Sequence, residues 1–87
     1  MRIQPSAEAL AFVGQYVKLS VEELVIKPIG KVKRYRLDDP EMEAKLNALS
    51  SGVVILPPGY ATTMNHDPFR MNVIIEPDGL ISRIYMG

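Results

Sequence analysis

The stretch Gly52–Ile75, GVVILPPGYATTMNHDPFRMNVII, decides the fold of this chain because it predicts two core strands joined by a long connection. The first strand is the apolar run Val53–Leu56, which a Pro-Pro-Gly sequence at 57–59 ends. The second strand is the apolar, β-branched run Met71–Ile75. Between them, residues 60–69 are too many for a tight hairpin turn and are poor in glycine. A connection of this length between core strands is often functional, because a rigid scaffold presents it.

The composition predicts one small globular domain over residues 1–87. Hydrophobic residues make up 47% and charged residues 23%, which is ordinary for a folded protein with one modest core. Ten basic and ten acidic residues cancel, so the net charge gives no reason to expect binding to nucleic acid or an anionic membrane. The chain has no cysteine and one histidine, which excludes disulfides, thiolate zinc sites and histidine-rich metal centres. We expect neither a metal nor a cofactor.

The first residues, MRIQPSAEAL, lack the apolar core and the cleavage site of a signal peptide. No apolar run approaches the 18 residues that a membrane-spanning helix needs. We therefore expect no membrane span and a cytoplasmic protein, with a secreted mature form carrying a replacement Met as the other case that the sequence allows.

Residues 1–51 predict a helix, a hairpin and a second helix. Ser6 is the expected N-cap of a helix over residues 7–18, which carries an apolar stripe at helical spacing. Asp39 and Pro40 predict the start of the second helix, which Ser-Ser-Gly ends at 50–52. The acidic residues at this start favour the positive end of the helix dipole, and no metal is needed to explain them.

The hairpin within residues 20–37 is predicted to have strands at 24–27 and 32–37 around a turn at 28–30. Ser20 opens a capping-box pattern, but Pro28 would stop any helix within two turns. The hairpin also carries a cluster of cations with one aromatic residue among them: Lys27, Lys31, Lys33, Arg34, Tyr35 and Arg36. Phosphate contacts and base stacking could use such a cluster. We do not expect nucleic-acid binding, because no recognised RNA- or DNA-binding module frames the cluster and the chain is neutral. Charges on an exposed edge strand also oppose aggregation, which needs no ligand.

The C-terminal part predicts a strand at 70–76, a turn at Pro-Asp-Gly 77–79 and a strand at 80–85. Together these elements predict an α+β fold: a small mixed β-sheet with one or two helices packed on one face. An exposed binding loop, residues 59–69, is expected to project from one edge.

The loop and the strand after it resemble the inhibitory loop of small serine-protease inhibitors. In the potato inhibitor I family, a Gly is followed after three residues by Thr, Met and an acid, with an Arg six positions after the Met. The chain is more similar to fungal and bacterial elastase inhibitors, which carry Thr-Met-Asp-x-x-Pro-x-Arg-Leu-Asn. The positions that match at identical spacing are Thr63, Met64, Pro68, Arg70 and Asn72. The ending DGLISRIYMG also resembles that family's ending, with Met86 in place of a cysteine, so the resemblance covers residues 52–87.

The resemblance implies a reversible, substrate-mimicking inhibitor of subtilisin-, elastase- or chymotrypsin-type serine proteases. The scissile bond would follow Met64, whose uncharged, polarizable side chain suits a wide apolar specificity pocket. The residues implied to contact the protease are Thr62, Thr63, Met64, Asn65, His66 and Asp67.

The same resemblance implies that Pro68, Arg70 and Asn72 support the loop. The guanidinium of Arg70 can reach back to loop carbonyls, and Asn72 faces the same side of the strand. Asn65 stands where these families carry an acid, so Asp67 is the candidate replacement partner for Arg70.

Two further interpretations remain beside inhibition. Arg70 and Asn72 could lie on the outer face of a strand without a role in inhibition. The chain would then be a non-inhibitory protein-interaction module on the same scaffold, and it could form a homo-oligomer through the hairpin.

His66 beside Asp67 suggests acid–base chemistry, but no serine has the sequence context of a catalytic nucleophile, so we expect no enzyme. The expected partner is a serine protease.

Overall fold

The computed structural model of the protein describes residues 4–59 and 67–87, which form two short helices and five strands. The helices are α1 (Ala7–Leu10) and α2 (Pro40–Asn47), and the strands are β1 (Leu19–Ile26), β2 (Gly30–Leu37), β3 (Val53–Leu56), β4 (Met71–Ile75) and β5 (Ile81–Met86). Neither helix in this described part of the chain is long and apolar enough to cross a membrane.

The central sheet has three strands in the order β3-β4-β5. β3 pairs with β4 in parallel, with Val53 opposite Met71, and β4 pairs with β5 in antiparallel orientation, with Val73 opposite Ile84. A register shift between Ile74 and Ile75 interrupts the second pairing. The sheet is therefore mixed, as the sequence predicts.

The hydrophobic core lies on one face of this sheet. Alternate residues of β4 point to that face, and Val73 and Ile75 are almost completely buried there. α1 contributes Ala9 to the same cluster, and α2 contributes Leu46, which is fully buried. Burial of one leucine side chain contributes about 1.5–3 kcal/mol, and Met42 of the same helix also packs against this core. The predicted α+β class, with helices against a mixed sheet, is confirmed.

β1 and β2 form a separate two-stranded antiparallel sheet, the hairpin, and do not extend the central sheet. Its strands are longer than predicted, since the first begins at Leu19 and not at residue 24. The Ser20–Glu23 segment is a strand despite its capping-box spacing, because its backbone pairs with residues 33–36 of β2. The turn between the strands covers residues 27–29.

The prediction of a helix over residues 7–18 was wrong beyond its first turn. Ser6 is the N-cap, and its side chain accepts a hydrogen bond from the Ala9 N–H at 3.2 Å, but α1 ends at Leu10. The backbone then follows the start of β5: Gly14 N–H donates to the Ile81 carbonyl and Ile81 N–H donates to the Gln15 carbonyl, both at 2.9 Å. These tertiary backbone hydrogen bonds replace those that a longer helix would have made.

α2 begins where the sequence predicts. One carboxylate oxygen of Asp39 accepts from the Met42 N–H at 3.2 Å, and the other accepts from the Lys18 N–H at 3.2 Å. Asp39 therefore caps the helix and also ties it to the chain just before β1.

The turn between β4 and β5 holds the N-terminal segment through Gly79. The Val17 N–H donates to the Gly79 carbonyl at 2.8 Å, and Gly79 has a φ of +90°. A Cβ at this position would overlap the Val17 carbonyl oxygen. Glycine is required here for two reasons, its positive φ and the close approach of another backbone.

We expect Gly79→Ala to lower the free energy of unfolding much more than Gly14→Ala. Gly14 has a similar φ of +95° but nothing within 4 Å of the added Cβ, so it isolates the cost of the backbone conformation, about 1–2 kcal/mol. Gly79→Ala adds an overlap with Val17, which we expect to cost about 1–3 kcal/mol more. Urea unfolding of both variants measures the difference, and equal losses would contradict the close contact.

Candidate functional site

The predicted binding loop connects two parallel neighbours, β3 and β4. Its central residues lie outside the described part of the chain, and of the predicted protease-contacting residues these are Thr62, Thr63, Met64, Asn65 and His66. The structure describes both flanks of the loop, residues 57–59 and 67–70. The candidate site is therefore built from those flanks and from the residues that hold them.

The flank before β4 is a turn that begins at Asp67. The Asp67 carboxylate accepts from the Phe69 N–H at 3.0 Å, and its carbonyl accepts from the Arg70 N–H at 3.0 Å. An Asp followed by Pro68 is a favoured start for such a turn, since the side chain bonds the backbone two residues on and Pro presets φ. The contact that the structure gives for the Asp67 carboxylate is thus a backbone N–H, and Phe69 is left 71% exposed beside it.

Gly52 joins this flank to the entrance of β3. The Met71 N–H donates to the Gly52 carbonyl at 2.7 Å, one residue before the parallel pairing of the two strands begins. The start of β4, immediately after the loop, is thereby tied to the start of β3.

Arg70 and Asn72 meet at the carbonyl oxygen of Gly87. The Arg70 Nε–H donates to it at 3.0 Å and the Asn72 Nδ2–H at 2.8 Å, while the Gly87 N–H donates back to the Arg70 carbonyl at 3.0 Å. Asn72 also lies 3.4 Å from the carbonyl of Tyr85 and is only 4% exposed. The two side chains lie on one side of β4, as their spacing predicts, and tie it to the end of β5. We call this set of bonds the Gly87 clamp.

The clamp can position backbone but has no group suited to chemistry. A guanidinium and a carboxamide both donate here, and the shared acceptor is a main-chain oxygen. Among the residues that the structure describes, no group of three or more His, Cys, Asp or Glu side chains could hold a metal ion. What the described arrangement can do is hold the strand that leaves the loop.

Sequence reasoning did not identify Gly87 as the acceptor that Arg70 and Asn72 share. The sequence did contain a signal for this contact. If residues are paired outward from the turn at 77–79, as in an antiparallel hairpin, the last residues of β5 fall opposite the first residues of β4. The register shift at Ile74/Ile75 changes that count by one, and nothing in the local sequence predicts the shift. The sequence analysis also did not predict that the large apolar side chain of Phe69 is exposed.

Comparison with known proteins adds a family to this geometry. No curated protein and no solved structure matches the chain. The sequence model of the peptidase inhibitor I78 family matches residues 37–87. The match begins at the last residue of β2 and takes in α2, the central sheet, both flanks of the loop and the Gly87 clamp. Because it covers more than half of the sequence, the chain belongs to the peptidase inhibitor I78 family.

Proposed function

We propose that the protein is a reversible, substrate-mimicking inhibitor of serine proteases with subtilisin-, elastase- or chymotrypsin-type specificity. Membership of a peptidase inhibitor family supports inhibition in general. The similarity of the loop to those of potato inhibitor I and of the elastase inhibitors supports a serine protease as the target. The residues proposed to contact it are Thr62, Thr63, Met64, Asn65, His66 and Asp67.

The observation that carries the proposal is that the start of β4, directly after the loop, is hydrogen-bonded to the chain on both sides of it, to Gly52 and to Gly87. A substrate-like segment inhibits when its docking costs little conformational entropy and its cleaved ends stay close enough to rejoin. Gly52 holds the start of β4 from one side, and the Gly87 clamp holds Arg70 and Asn72 from the other. An anchored flank of this kind suits a loop that must resist productive cleavage.

Met64 is proposed to enter the protease's primary specificity pocket, with the scissile bond between Met64 and Asn65. A long, uncharged, polarizable side chain fits a wide apolar pocket. It fits a trypsin-type pocket poorly, because the carboxylate at the base of that pocket would be left without a cation. The proposed targets follow from this difference.

Arg70 and Asn72 are proposed to act as positioning residues, together with the turn at Asp67 and Pro68. Arg70 bonds to Gly87 through Nε and takes part in further interactions. The resemblance implies Asp67 as the ionic partner of Arg70, in place of the acid missing at position 65. Its bond to the Phe69 N–H supports a different role, in which the carboxylate shapes the turn that ends the loop.

Membership of a peptidase inhibitor family supports the role of an inhibitor over that of an enzyme.

The second candidate function is a non-inhibitory interaction module, and the exposed apolar residues of the hairpin favour it. Val21, Val25 and Ile29 are 55%, 68% and 75% exposed there, which is unusual for three apolar residues so close together. A second copy of the chain could cover them.

We expect Met64→Lys to exchange one class of target for another. Inhibition of subtilisin- and elastase-type proteases should weaken by about a hundredfold, because a charged ammonium would be placed in an apolar pocket. Inhibition of trypsin-type proteases should appear, since their pocket carboxylate gains a cation. Inhibition constants for wild type and variant against the same protease panel measure both effects. An unchanged profile would place the contact elsewhere.

We expect Arg70→Ala to weaken inhibition by about 10–100-fold, the equivalent of one charge-assisted hydrogen bond of roughly 1.5–3 kcal/mol. The matched control is Arg83→Ala, which removes an exposed guanidinium on β5 that is stacked 4.6 Å from the centre of the Tyr85 ring. The control should change the inhibition constant less than threefold. Prolonged incubation followed by mass spectrometry should also show faster cleavage of the Arg70 variant. Equal effects of the two substitutions would remove Arg70 from its positioning role.

The interaction module predicts a different pattern from the inhibitor. If the hairpin mediates a homo-oligomer, sedimentation should show a concentration-dependent dimer that Val25→Lys dissociates and Met64→Lys does not, because a lysine would disrupt an apolar interface. A monomer at high concentration, together with inhibition of a protease by wild type, would rule this function out.

A further inference from the structure

The hairpin lies outside the family match and needs a separate explanation. The matched region begins at residue 37, whereas β1 and β2 cover residues 19–37 and form a sheet of their own. Two-stranded sheets are marginal in water, and most side chains of this one are exposed. The contacts of the hairpin outside its own sheet are therefore the candidates for its role.

A groove connects the hairpin to the proposed protease-binding loop. Its volume is about 360 Å³, and residues 58–59, in the flank that leads into the loop, form one wall. The hairpin forms the other wall through Leu24 and residues 32–35. We call this the hairpin groove. A partner that contacts residues 58–59 therefore also lies close to β2.

The hairpin groove combines apolar and cationic side chains. Leu24, Val32 and Tyr35 are partly buried and give it an apolar lining, while Lys33 and Arg34 are exposed at its rim. Glu22 and Glu23 lie opposite these cations in the strand register, yet within the described ranges the ion pair at this sheet is Lys31–Glu23, at 3.8 Å. Neither rim cation is neutralised by a salt bridge to a described residue. Such a groove suits a segment with carboxylates and some apolar surface.

We propose that the hairpin groove is a second contact region for the inhibited protease and takes an acidic surface segment bordering the protease's active-site cleft. This inference rests on the proposed inhibitory function. A stable protein–protein interface buries roughly 800 Å² on each partner, and the hairpin groove adjoins residues 58–59, so it is placed to contribute to that area. Continuity with residues 58–59 and the exposed rim cations make the protease the occupant that fits best.

The test compares two double substitutions on β2 that change the net charge equally. Lys33→Gln/Arg34→Gln removes the rim cations, and Lys31→Gln/Arg36→Gln removes two exposed cations of the same strand that do not line the groove. Each is assayed with a protease that the wild type inhibits, chosen from subtilisin-, elastase- and chymotrypsin-type enzymes, at low and physiological salt. We expect the first variant to raise the inhibition constant about tenfold and to flatten its salt dependence, because direct charge contacts affect both. The second should change it less than threefold.

Each other outcome has a definite meaning. Equal effects of the two variants would mean that the cations act only through long-range electrostatics, and this would overturn a contact in the groove. No effect of either, with wild-type inhibition intact, would overturn the hairpin contact and leave the proposed function standing. A wild type that inhibits no protease would overturn both. If sedimentation shows a dimer that only Lys33→Gln/Arg34→Gln dissociates, a second copy of the chain occupies the groove and the proposal is wrong. Circular dichroism and thermal midpoints of all variants verify that they are folded.

Discussion

The parallel pairing of β3 with β4 is the constraint on which the rest of the molecule depends. Two neighbouring strands that run the same way cannot be joined by a tight turn, so the chain leaving Leu56 must return along the sheet before Met71 can pair. Such crossovers usually hold a helix, but the sequence between 57 and 70 is rich in Pro and polar residues and poor in helix signals. The fold thus requires a long segment at this point, and the region that the I78 family model matches contains it.

The Gly87 clamp complements that constraint by closing the sheet at the same end. β4 is the middle strand and is buried over most of its length, including its first residues, Met71 and Asn72. Two side-chain donors and one backbone bond to Gly87 hold that end against β5. Asn72 would be costly in such a buried position without partners, and two carbonyls satisfy it. Stability of the sheet and order of the chain leaving the loop therefore depend on the same bonds.

Local chemistry explains which parts of the fold the sequence predicts. Asp39-Pro40 marks the start of α2, and the Pro-Asp-Gly turn at 77–79 marks the connection between β4 and β5. Both could be predicted because capping and turn preferences act over a few residues. The end of α1 was not predictable, since the backbone of residues 14–17 pairs with residues that lie far along the chain. The direction of β3 relative to β4 and the convergence on Gly87 depend likewise on tertiary register. In the candidate site, the resemblance to inhibitor loops identified Arg70 and Asn72 as candidate residues. Their shared acceptor, the Gly87 carbonyl, could be identified only from the fold.

The separate sheet formed by the hairpin has a consequence for how such proteins can diversify. Lengthening, shortening or recharging β1 and β2 alters no register in the central sheet, because the two sheets share no strand. The surface that the hairpin presents can therefore change while the central sheet and the Gly87 clamp stay the same. Chains that share the I78 core can thus present different surfaces beside it without any change in the strands of the central sheet.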